Sequence, residues 1–438
     1  MTRRSHDDGS HLSRASMVAR ALAAAVLLMS GSVGAQETGA EDGRPLYLTD
    51  ARVVDVEDGQ VRSGRTLVVR DGRIRRIAPA EEVGRPPDGA RTVDLDGRYV
   101  LPGLVDAHTH LADLEAARRA LESGVTTARV VGVAGYRDVA LRRMVRDGVL
   151  PGPDLLAAGV FVTPDLGETV LADPRLGRYH GRDVRREEDL RRVVSVNADR
   201  GADWIKTRAT KRAGLPEQDP RQQVYTESQL RAIVAEGREH GMSVAVHAHG
   251  DAGIRAAVRA GARSIEHGTY ASDSTLSMMA DRGTYLVPTV AVVEDLTLPG
   301  GDYSGAHLQT RGRHMLPRIR RTAARARELG VPLVVGVDTG YGPESVLRIG
   351  HEMEELVGAG LTELEALRAA TSRAAEMLGI DDRTGRLEEG LEADLVVVDR
   401  NPLEDIRYVQ DVLVVVSDGR LAVDRLPFAR EETAETGR

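Results

Sequence analysis

Cysteine is absent from the 438 residues of this chain. Its absence excludes disulfides, thiolate metal sites, a cysteine nucleophile and a lipid-modified N-terminal cysteine. A glycine-rich phosphate loop between a strand and a helix is also lacking, so we expect no nucleotide cofactor. Neither sign of charge dominates, because 59 basic and 67 acidic residues give a net charge of −8. This balance argues against a nucleic acid or an anionic membrane surface as a partner.

Long hydrophobic runs are scarce, and the apolar run Ala21–Met29 is too short to anchor the chain in a bilayer. Arginines precede this run and small residues follow it, which is typical of an export signal. We therefore predict a signal peptide at 1–35, a linker at 36–45, and a periplasmic or secreted mature protein with no stable membrane anchor after cleavage. Met1 and Met17 both stay open as the true start.

Short β-branched runs separated by Asp-Gly pairs occupy residues 46–98. Asp-Gly between alternating apolar residues predicts a β-hairpin. The same pattern of short β-branched runs and an Asp-Gly pair occurs at 381–427, where Asp418-Gly419 follows another apolar run. Each half has too few strands to bury a core alone, so we predict one small composite β-sandwich domain formed by both chain ends. The alternative is two independent hairpins, and residues 428–438 are predicted to be a tail.

Between these ends, at 99–380, a pattern of strand and then helix repeats eight times. The strands are predicted to start near Tyr99, Thr126, Pro153, Asp203, Met242, Arg263, Thr284 and Pro332. Helical periodicity is clearest in the segments Glu115–Glu122, Thr226–His240, Gly253–Ala260, Ser272–Asp281 and Leu316–Leu329. Eight βα units in about 270 residues have the size of an α/β (β/α)8 TIM barrel. A doubly wound open sheet is the alternative fold.

Reactive residues of such a barrel gather at the carboxyl ends of its strands. In this sequence those ends carry His108 and His110 on strand 1, Lys206 on strand 4, His247 on strand 5, His267 on strand 6 and Asp338 on strand 8. His108 and His110 are two apart on a strand and so face the same way. Nitrogen and oxygen ligands that converge on one mouth suit zinc or a similar divalent ion. The alternative for each residue alone is a hydrogen-bonded polar side chain.

Lysine is nearly absent, since Lys206 and Lys211 stand against 57 arginines. A chain so biased toward arginine is expected to carry arginine wherever only a positive charge matters. A buried lysine amine can lose its proton, whereas a guanidinium cannot. The neutral amine reacts with carbon dioxide to give a carbamate, an anionic ligand that bridges two cations. We predict that Lys206 is carboxylated and bridges a metal pair, with a plain salt bridge as the alternative.

Asp338 ends the predicted eighth strand and is the predicted general base. A carboxylate beside a metal-activated hydroxide or water can take a proton during the attack and pass it to the departing nitrogen. The ions lower the pKa of the water and polarise the scissile carbonyl, so an amide bond is hydrolysed without a covalent enzyme intermediate. The sequence therefore predicts metal-dependent hydrolysis of C–N bonds.

Several motifs together resemble the metal-dependent amidohydrolase superfamily, in its imidazolonepropionase-like and prolidase-like (Xaa-Pro dipeptidase-type) branch. They are LPGLVDAHTHL, DWIK, VAVHAHG, SIEHGTY, VGVDTG and EMLGIDDRTGRLEEGLEADLVVVDRNPLEDI. The resemblance extends from about Leu46 to Pro427 and implies a (β/α)8 barrel with a composite β-domain. It also implies two divalent ions, zinc by preference. One ion is then held by His108, His110 and Asp338, the second by His247 and His267, and carboxylated Lys206 bridges them.

Three residues are predicted to contact the substrate. Tyr225 precedes the helix leading to strand 5, His249 shares a strand face with His247, and Tyr341 follows strand 8. Packing in a loop is the alternative for Tyr225, and metal coordination in place of His247 is the alternative for His249. Glu266 is expected to point into the helix layer, since it alternates with His267 along its strand.

The walls of the pocket are less well defined by the resemblance than its metal ligands. His110 is followed almost at once by a predicted helix, and Thr163–Glu168 stands where many relatives have a Gly-Gly-His stretch. Both loops shape the substrate pocket of such a barrel. A substrate carboxylate is the predicted ligand of the group Arg208, Lys211, Arg212 and Tyr341, with solvated surface as the alternative for the arginines.

The sequence thus predicts an exported metal-dependent amidohydrolase acting on amide or peptide bonds of small substrates such as dipeptides or N-acyl amino acids. A cyclic-amide hydrolase or deaminase, imidazolonepropionase-like, is one alternative, and a non-catalytic metal-binding protein is another. Lys206 argues against a deaminase, because mononuclear deaminases of the superfamily generally lack the bridging lysine. The leaving group, the identity of the ions and the oligomeric state, a homo-oligomer included, stay open.

Overall fold

The computed structural model describes residues 44–303 and 305–426. The predicted signal peptide, nearly all of the predicted linker and the predicted tail lie outside the described residues. Within the described ranges, no helix has the length and apolar character needed to cross a membrane.

The described chain alternates between strands and helices. The strands are β1 (Leu46–Val54), β2 (Val61–Arg70), β3 (Arg73–Pro79), β4 (Arg91–Asp94), β5 (Tyr99–Pro102), β6 (Leu104–Thr109), β7 (Val125–Val130), β8 (Asp154–Ala157), β9 (Trp204–Arg208), β10 (Ser243–Gly250), β11 (Ser264–Tyr270), β12 (Tyr285–Val287), β13 (Leu395–Val398), β14 (Val412–Ser417) and β15 (Arg420–Asp424). The α-helices are α1 (Ala80–Val83), α2 (Leu114–Glu122), α3 (Arg137–Arg146), α4 (Glu187–Asp199), α5 (Glu227–Glu239), α6 (Asp251–Ala260), α7 (Asp273–Arg282), α8 (Val290–Asp295), α9 (Ala306–Glu328), α10 (Ile349–Gly358), α11 (Glu363–Ala369) and α12 (Ser372–Leu378). Short 3-10 helices occupy Gly167–Ala172, Pro174–Tyr179 and Ile406–Gln410.

One eight-stranded sheet takes its strands from both ends of the described chain, in the order β15-β14-β13-β5-β1-β2-β3 with β4 paired to β1. β13 runs antiparallel to β5, with Leu395 opposite Pro102. The β2–β3 hairpin turns at Asp71-Gly72, where both residues have positive φ (52° and 74°), as the Asp-Gly signal predicts. The sheet thus combines the two segments that the sequence assigns to one β-domain, and its division into the layers of a sandwich stays a prediction.

The middle of the chain has a TIM-barrel-like α/β arrangement. β6, β7 and β8 form one parallel sheet, and β9, β10, β11 and β12 form another. Isolated parallel bridges join further segments to these sheets, namely Val162 to Thr207, Leu286 to Leu333 and Thr109 to Thr339. The carboxyl ends of the parallel strands therefore meet on one side of the domain, where the predicted metal ligands lie.

The predicted eighth strand, starting near Pro332, is not a regular strand. Within this segment only Leu333 and Thr339 form strand bridges in the described structure. A Cβ atom at Gly336 would lie 2.7 Å from Cβ of His108, and Asp338 has a φ of 59°. The segment therefore packs closely against β6 and turns at Asp338, and it does not form a continuous row of strand hydrogen bonds.

The predicted first strand is divided in two. Tyr99–Pro102 pairs within the eight-stranded sheet as β5, and the strand that carries His108 begins only at Leu104. Gly103 lies between them, and a Cβ atom there would be 2.0 Å from Oγ1 of Thr126. Only glycine allows the chain to pass so close to β7.

Helix α5, which precedes β10, shows how local sequence signals determine where a helix begins and which face it buries. The hydroxyl of Thr226 accepts a hydrogen bond from N of Gln229 (3.3 Å), and the Gln229 side chain accepts one from N of Thr226 (2.9 Å). This capping box starts α5 at Glu227, one residue from the predicted start. Leu230 and Ile233, three residues apart, are buried beneath the helix.

Candidate metal centre and active site

A cavity of about 540 Å³ opens where β6, β9, β10 and β11 end. Its lining includes all the predicted metal ligands and the predicted substrate residue His249. A second cavity of about 560 Å³, at the amino ends of β10, β11 and β12, is lined by no histidine and no carboxylate. The groups needed for metal chemistry therefore gather at the mouth formed by the carboxyl ends.

Each imidazole in the mouth has one ring nitrogen bound to another group of the protein. Nδ1 of His108 lies 2.6 Å from Oε2 of Glu266. Nδ1 of His110 lies 2.7 Å from the carbonyl oxygen of Gly132. Such contacts fix the orientation of a ligand ring and leave the other nitrogen, here Nε2, for a metal ion.

The remaining three imidazoles are held in the same manner. The contacts are His247 Nε2 to the Lys211 carbonyl at 3.2 Å, His249 Nδ1 to Thr269 Oγ1 at 2.9 Å, and His267 Nδ1 to Thr289 Oγ1 at 2.7 Å. The rings of His249 and His267 stack with centroids 4.7 Å apart. Nδ1 of His247 and Nε2 of the other two rings are left without these contacts.

Donor atoms of the mouth form two overlapping groups, His247 with His249 and His267, and His108 with His267 and Asp338. The donor atoms of each group lie within 4.8 Å of one another. Oδ1 of Asp338 is 2.8 Å from Nε2 of His110 and 3.4 Å from Nε2 of His108. Nζ of Lys206 is 3.5 Å from Nε2 of His108. Clustered imidazole nitrogens and a carboxylate are the donor set of a divalent metal site.

Burial sets the charge state of these donors. It lowers the pKa of His108 to about 4 and the pKa of His249 to about 3, so both rings are neutral and keep a lone pair. It also lowers the pKa of Lys206 to about 8. Burial raises the pKa of Asp338, but His108 and the hydrogen bond from His110 outweigh it and bring the pKa to about 2. The carboxylate therefore stays ionised.

Glu266 corrects an expectation, because it does not point into the helix layer. It is fully buried, and Oε1 accepts a hydrogen bond from Nη2 of Arg129 at 2.9 Å while Oε2 contacts His108. The neighbouring His267 has a φ of 75°, which ends the strand alternation, so both side chains reach the interior. Burial raises the pKa of Glu266, but Arg129 and the hydrogen bond with His108 hold it below its usual range.

Backbone strain concentrates around the mouth. Positive φ angles occur at His267 (75°), Thr289 (54°), Asp338 (59°) and Tyr341 (51°). Each such residue costs about 1–3 kcal/mol, and surrounding contacts must hold it in place. For Asp338 one of these contacts is its own N–H, which donates to the carbonyl of His108 at 2.8 Å.

Most of this chain matches the sequence profile of a known protein family. The profile of the Amidohydrolase family matches residues 99–422, well over half of the sequence. The chain belongs to the amidohydrolase family. This amidohydrolase is therefore a hydrolase of C–N bonds, and amide bonds are its chemistry.

Comparisons with individual proteins support the family resemblance that the sequence motifs indicate. It is 29% identical to the ochratoxinase of Aspergillus niger over 398 residues, which covers 81% of each chain. It is 30% identical to the imidazolonepropionase of Micrococcus luteus over 396 residues, covering 81% of this chain and 93% of that one. The crystal structure of a Xaa-Pro dipeptidase with methionine in its active site has a TM-score of 0.77 and 29% identity, covering 86% of this chain and 99% of the other. The predicted imidazolonepropionase-like and prolidase-like resemblance is confirmed, and so is a TIM-barrel-like fold.

Two predicted substrate residues lie away from the cavity of the amidohydrolase. Tyr225 is fully buried, and its hydroxyl donates to the carbonyl of Val184 at 3.0 Å. Tyr341 is also fully buried, and its hydroxyl donates to Oδ2 of Asp106 at 2.9 Å. Both hydroxyls are satisfied inside the protein, so neither tyrosine lines the mouth. His249 does line it.

Asp106 is a site residue that the sequence interpretation did not single out. Besides Tyr341, its carboxylate accepts from the backbone N–H groups of His108 (3.1 Å) and Val337 (3.2 Å). Asp106 thus ties β6 to the segment that carries Asp338. A signal for it existed, because Asp106 precedes His108 by two residues and faces the same way. Burial raises the pKa of Asp106 to about 7.

The outer walls of the cavity come from the loops in which the sequence departs from its relatives. Thr163, Asp165 and Leu166 line one side. On another side the hydroxyl of Tyr303 donates to the carbonyl of Asp338 at 3.2 Å. Arg208 also lines the cavity, and burial, followed by the positive charge of Arg212, lowers its pKa to about 10.

Proposed function

We propose that this amidohydrolase is an exported two-metal enzyme, built on a closed (β/α)8 barrel, that hydrolyses amide bonds in dipeptides or N-acyl amino acids. The observation that carries the proposal is the set of five imidazoles in the mouth, each held through one ring nitrogen by a carbonyl, hydroxyl or carboxylate of the protein. A stabilising polar cluster has no need of four imidazoles whose pKa values are lowered by burial, a fifth imidazole, an ionised carboxylate and a lysine around one cavity.

The family resemblance implies that the donors are divided between two ions. In that division His108, His110 and Asp338 would hold one ion, with Oδ1 of Asp338 2.8 Å from Nε2 of His110, and His247 and His267 would hold the other. Bound divalent ions supply Lewis acidity to the scissile carbonyl and the attacking water. His249 then remains to face the substrate, anchored through Thr269.

Lys206 supports a bridging role in this scheme. Its amine is buried 3.5 Å from Nε2 of His108, and burial lowers its pKa to about 8. A lysine with such a pKa is neutral for a larger fraction of the time, and only the neutral amine adds to carbon dioxide. Once carboxylated, Lys206 would supply an anionic oxygen ligand to both metal positions.

Asp338 carries the proton in the proposed reaction. Its carboxylate is ionised, and Oδ1 is already within hydrogen-bond distance of Nε2 of His110. It accepts a proton from the attacking water and returns it to the departing nitrogen. Asp106 and Tyr303 position the segment around Asp338 through their hydrogen bonds, without touching the reacting atoms themselves.

The names of relatives support amide substrates of small size. One structural neighbour is a dipeptidase of the Xaa-Pro type, and one sequence relative is an ochratoxinase. An imidazolonepropionase among the relatives favours a cyclic amide as the second candidate substrate.

Amino-acid release from libraries of dipeptides and N-acyl amino acids tests the proposal, with zinc-loaded mature protein in bicarbonate buffer. The matched blank is Asp338→Asn, which keeps the shape of the side chain and is expected to retain metal. We expect release by the wild type and loss of most turnover in the variant. Near-normal kcat in Asp338→Asn would remove that residue from its role, and release only from cyclic amides would select the second candidate.

Export is tested separately. Expression of the full chain followed by fractionation should give a mature protein that starts near Gln36, outside the cytoplasm. Full-length protein confined to the cytoplasm would contradict export and leave the hydrolytic proposal untouched.

A further inference from the structure

Helix α8 begins directly after Thr289, and this threonine contacts one of the predicted metal ligands. Its Oγ1 lies 2.7 Å from Nδ1 of His267. A threonine that precedes a helix commonly turns its hydroxyl to the unpaired N–H groups of the first turn. Thr289 makes no such capping bond, because its hydroxyl faces His267. The first N–H groups of α8 therefore need an acceptor from another part of the chain.

Glu352 supplies that acceptor from α10. Its Oε2 accepts a hydrogen bond from N of Ala291 at 2.7 Å. Burial raises the pKa of Glu352 well above its usual range, and hydrogen bonds from the backbone of Ala291 and Val290 only partly offset this effect. The side chain is therefore a neutral carboxylic acid that caps the first turn of α8.

Core packing does not account for an acid at position 352. Glu352 is fully buried, and its Oε1 has no hydrogen-bond partner among the described residues. Burying a polar atom without a partner costs free energy, and an apolar side chain of similar size would avoid that cost. The contact with the backbone of α8 is thus the feature that distinguishes Glu352 from a leucine.

Thr289 depends on such an anchor because its backbone is strained. Its φ of 54° and ψ of 49° lie in the left-handed region, which a β-branched residue rarely adopts. Such a conformation persists only where surrounding contacts hold it. His267 contacts the hydroxyl of Thr289, and Glu352 fixes the residue two positions later. A connected path thus runs from α10, through the start of α8, to the mouth.

We propose that Glu352 is a positioning residue of the metal centre: it caps α8 in place of Thr289, and so leaves the threonine hydroxyl to orient the imidazole of His267. Glu352 does not line the cavity and acts only through these contacts. The assignment rests on the proposed function only in taking His267 as a metal ligand. A ring held through Nδ1 presents Nε2 to an ion.

Two substitutions and their combination test this path. Thr289→Val removes the hydroxyl and keeps the shape of the side chain, and Glu352→Leu removes the acceptor. We expect each to weaken binding of one zinc ion by about 10- to 100-fold, measured by competition with a chelator. In the double variant the loss should match that of Thr289→Val alone to within about threefold, because both substitutions break the same path. Losses that multiply would reveal two independent effects and overturn the proposal.

Further variants separate positioning from stability. Glu352→Gln keeps an oxygen acceptor and resembles the neutral acid, so it should bind zinc as the wild type does. Glu352→Asp leaves the carboxyl one methylene short of Ala291 and should lose zinc affinity, which keeps the test decisive if Glu352→Leu does not fold. Zinc affinity that falls equally in Glu352→Gln and Glu352→Asp would overturn the role of the acceptor.

Asp394→Leu is the matched control, because it also removes a buried acid that accepts a backbone N–H. In the composite sheet Oδ1 of Asp394 accepts from N of Asp418 at 2.9 Å. The control should lower the melting temperature and leave zinc affinity unchanged. Unchanged zinc affinity in Thr289→Val, or a loss in Asp394→Leu equal to that in Glu352→Leu, would contradict the positioning role.

The imidazole of His267 also gives a readout in metal-free protein. With nitrogen-15 labels on histidine, its Nδ1–H should show a slowly exchanging proton signal that Thr289→Val and Glu352→Leu both lose. A wild type that binds no zinc but shows this pattern would overturn the two-metal function and uphold the positioning of His267. Zinc binding and hydrolysis by the wild type, with an Nδ1–H signal that survives in Glu352→Leu, would uphold the function and overturn the positioning role.

Discussion

Glu266 and His108 meet inside the protein, with Oε2 of the carboxylate 2.6 Å from Nδ1 of the imidazole. Arg129 holds the other carboxylate oxygen at 2.9 Å. The carboxylate accepts the Nδ1 proton, which makes Nε2 the nitrogen that carries the lone pair. The orientation and basicity of a predicted metal ligand are therefore set by two residues that touch no substrate.

Glu266→Gln is expected to weaken metal binding. The amide keeps the shape of the side chain but loses the charge that His108 and Arg129 share, so metal affinity should fall by about 10- to 100-fold. Competition with a chelator, followed by calorimetry, measures the change. Glu239→Gln, at the exposed end of α5, is the control and should bind metal as the wild type does. Equal metal affinity in Glu266→Gln and Glu239→Gln would show that the Glu266 carboxylate does not affect metal binding.

The two lysines provide a matched pair of variants. Lys206→Arg should bind fewer ions than the wild type and lose the carbamate signal in carbon-13 spectra recorded with labelled bicarbonate. Lys211→Arg should keep both, because Lys211 offers its backbone carbonyl to His247. The readouts are the metal count per chain and the spectrum. An unaltered metal count in Lys206→Arg would contradict the bridging role.

Tyr341 and Tyr225 provide a second pair, since both are fully buried with bonded hydroxyls. Tyr341→Phe removes a bond to Asp106, which in turn holds the segment of Asp338, and we expect lower kcat together with a stability loss of about 1–2 kcal/mol. Tyr225→Phe should lose similar stability and keep its kcat, because its partner Val184 does not line the cavity and has no hydrogen bond to the segment of Asp338 among the described residues. Melting temperature and steady-state kinetics separate the two effects. Identical kcat values in the two variants would refute the link through Asp106.

Asp394 predicts a pH dependence of stability in the composite sheet. Burial raises the pKa of Asp394 to about 7, so the folded protein holds a proton that the unfolded chain releases near pH 4. Stability from this residue is therefore fully present below pH 4 and decreases as pH rises to about 7, by at most about 1.4 kcal/mol per pH unit. Asp106, whose pKa is also raised to about 7, contributes a decrease over the same range. Asp394→Asn should therefore make the decrease shallower than in the wild type, which melting curves between pH 4 and 8 would detect. The exposed Asp281→Asn should retain the wild-type slope, and a wild-type slope in Asp394→Asn would contradict the assignment.

Local patterns made the convergence of the predicted metal ligands on one cavity predictable, because each of them stands at the end of a short apolar run. Glu266 was misplaced for a physical reason: strand alternation holds only while φ stays negative, and His267 departs from it. Two residues can then face the interior in succession. The buried partners of Tyr225 and Tyr341 are contributed by segments far away in sequence, which no local pattern reveals.

Helix α9 illustrates another limit of sequence patterns. The predicted segment begins at Leu316, whereas the helix begins at Ala306 and continues through Pro317. Its first turns bury Gly312 beside Leu296, where an added Cβ atom would lie 2.8 Å from that leucine. A face that packs through glycine shows little apolar periodicity, so its helical character was not visible.

The pairing of β5 with β13 joins Val100 to Val397, positions about 300 residues apart. During synthesis the first strands of the composite sheet therefore leave the ribosome long before their partners exist. Until β13 arrives, the edge of β5 offers unpaired backbone groups. Completion of this sheet waits until β13 has been synthesised, and a chain truncated before Leu395 would expose that edge permanently. The eight-stranded sheet is therefore completed only when β13 pairs with β5.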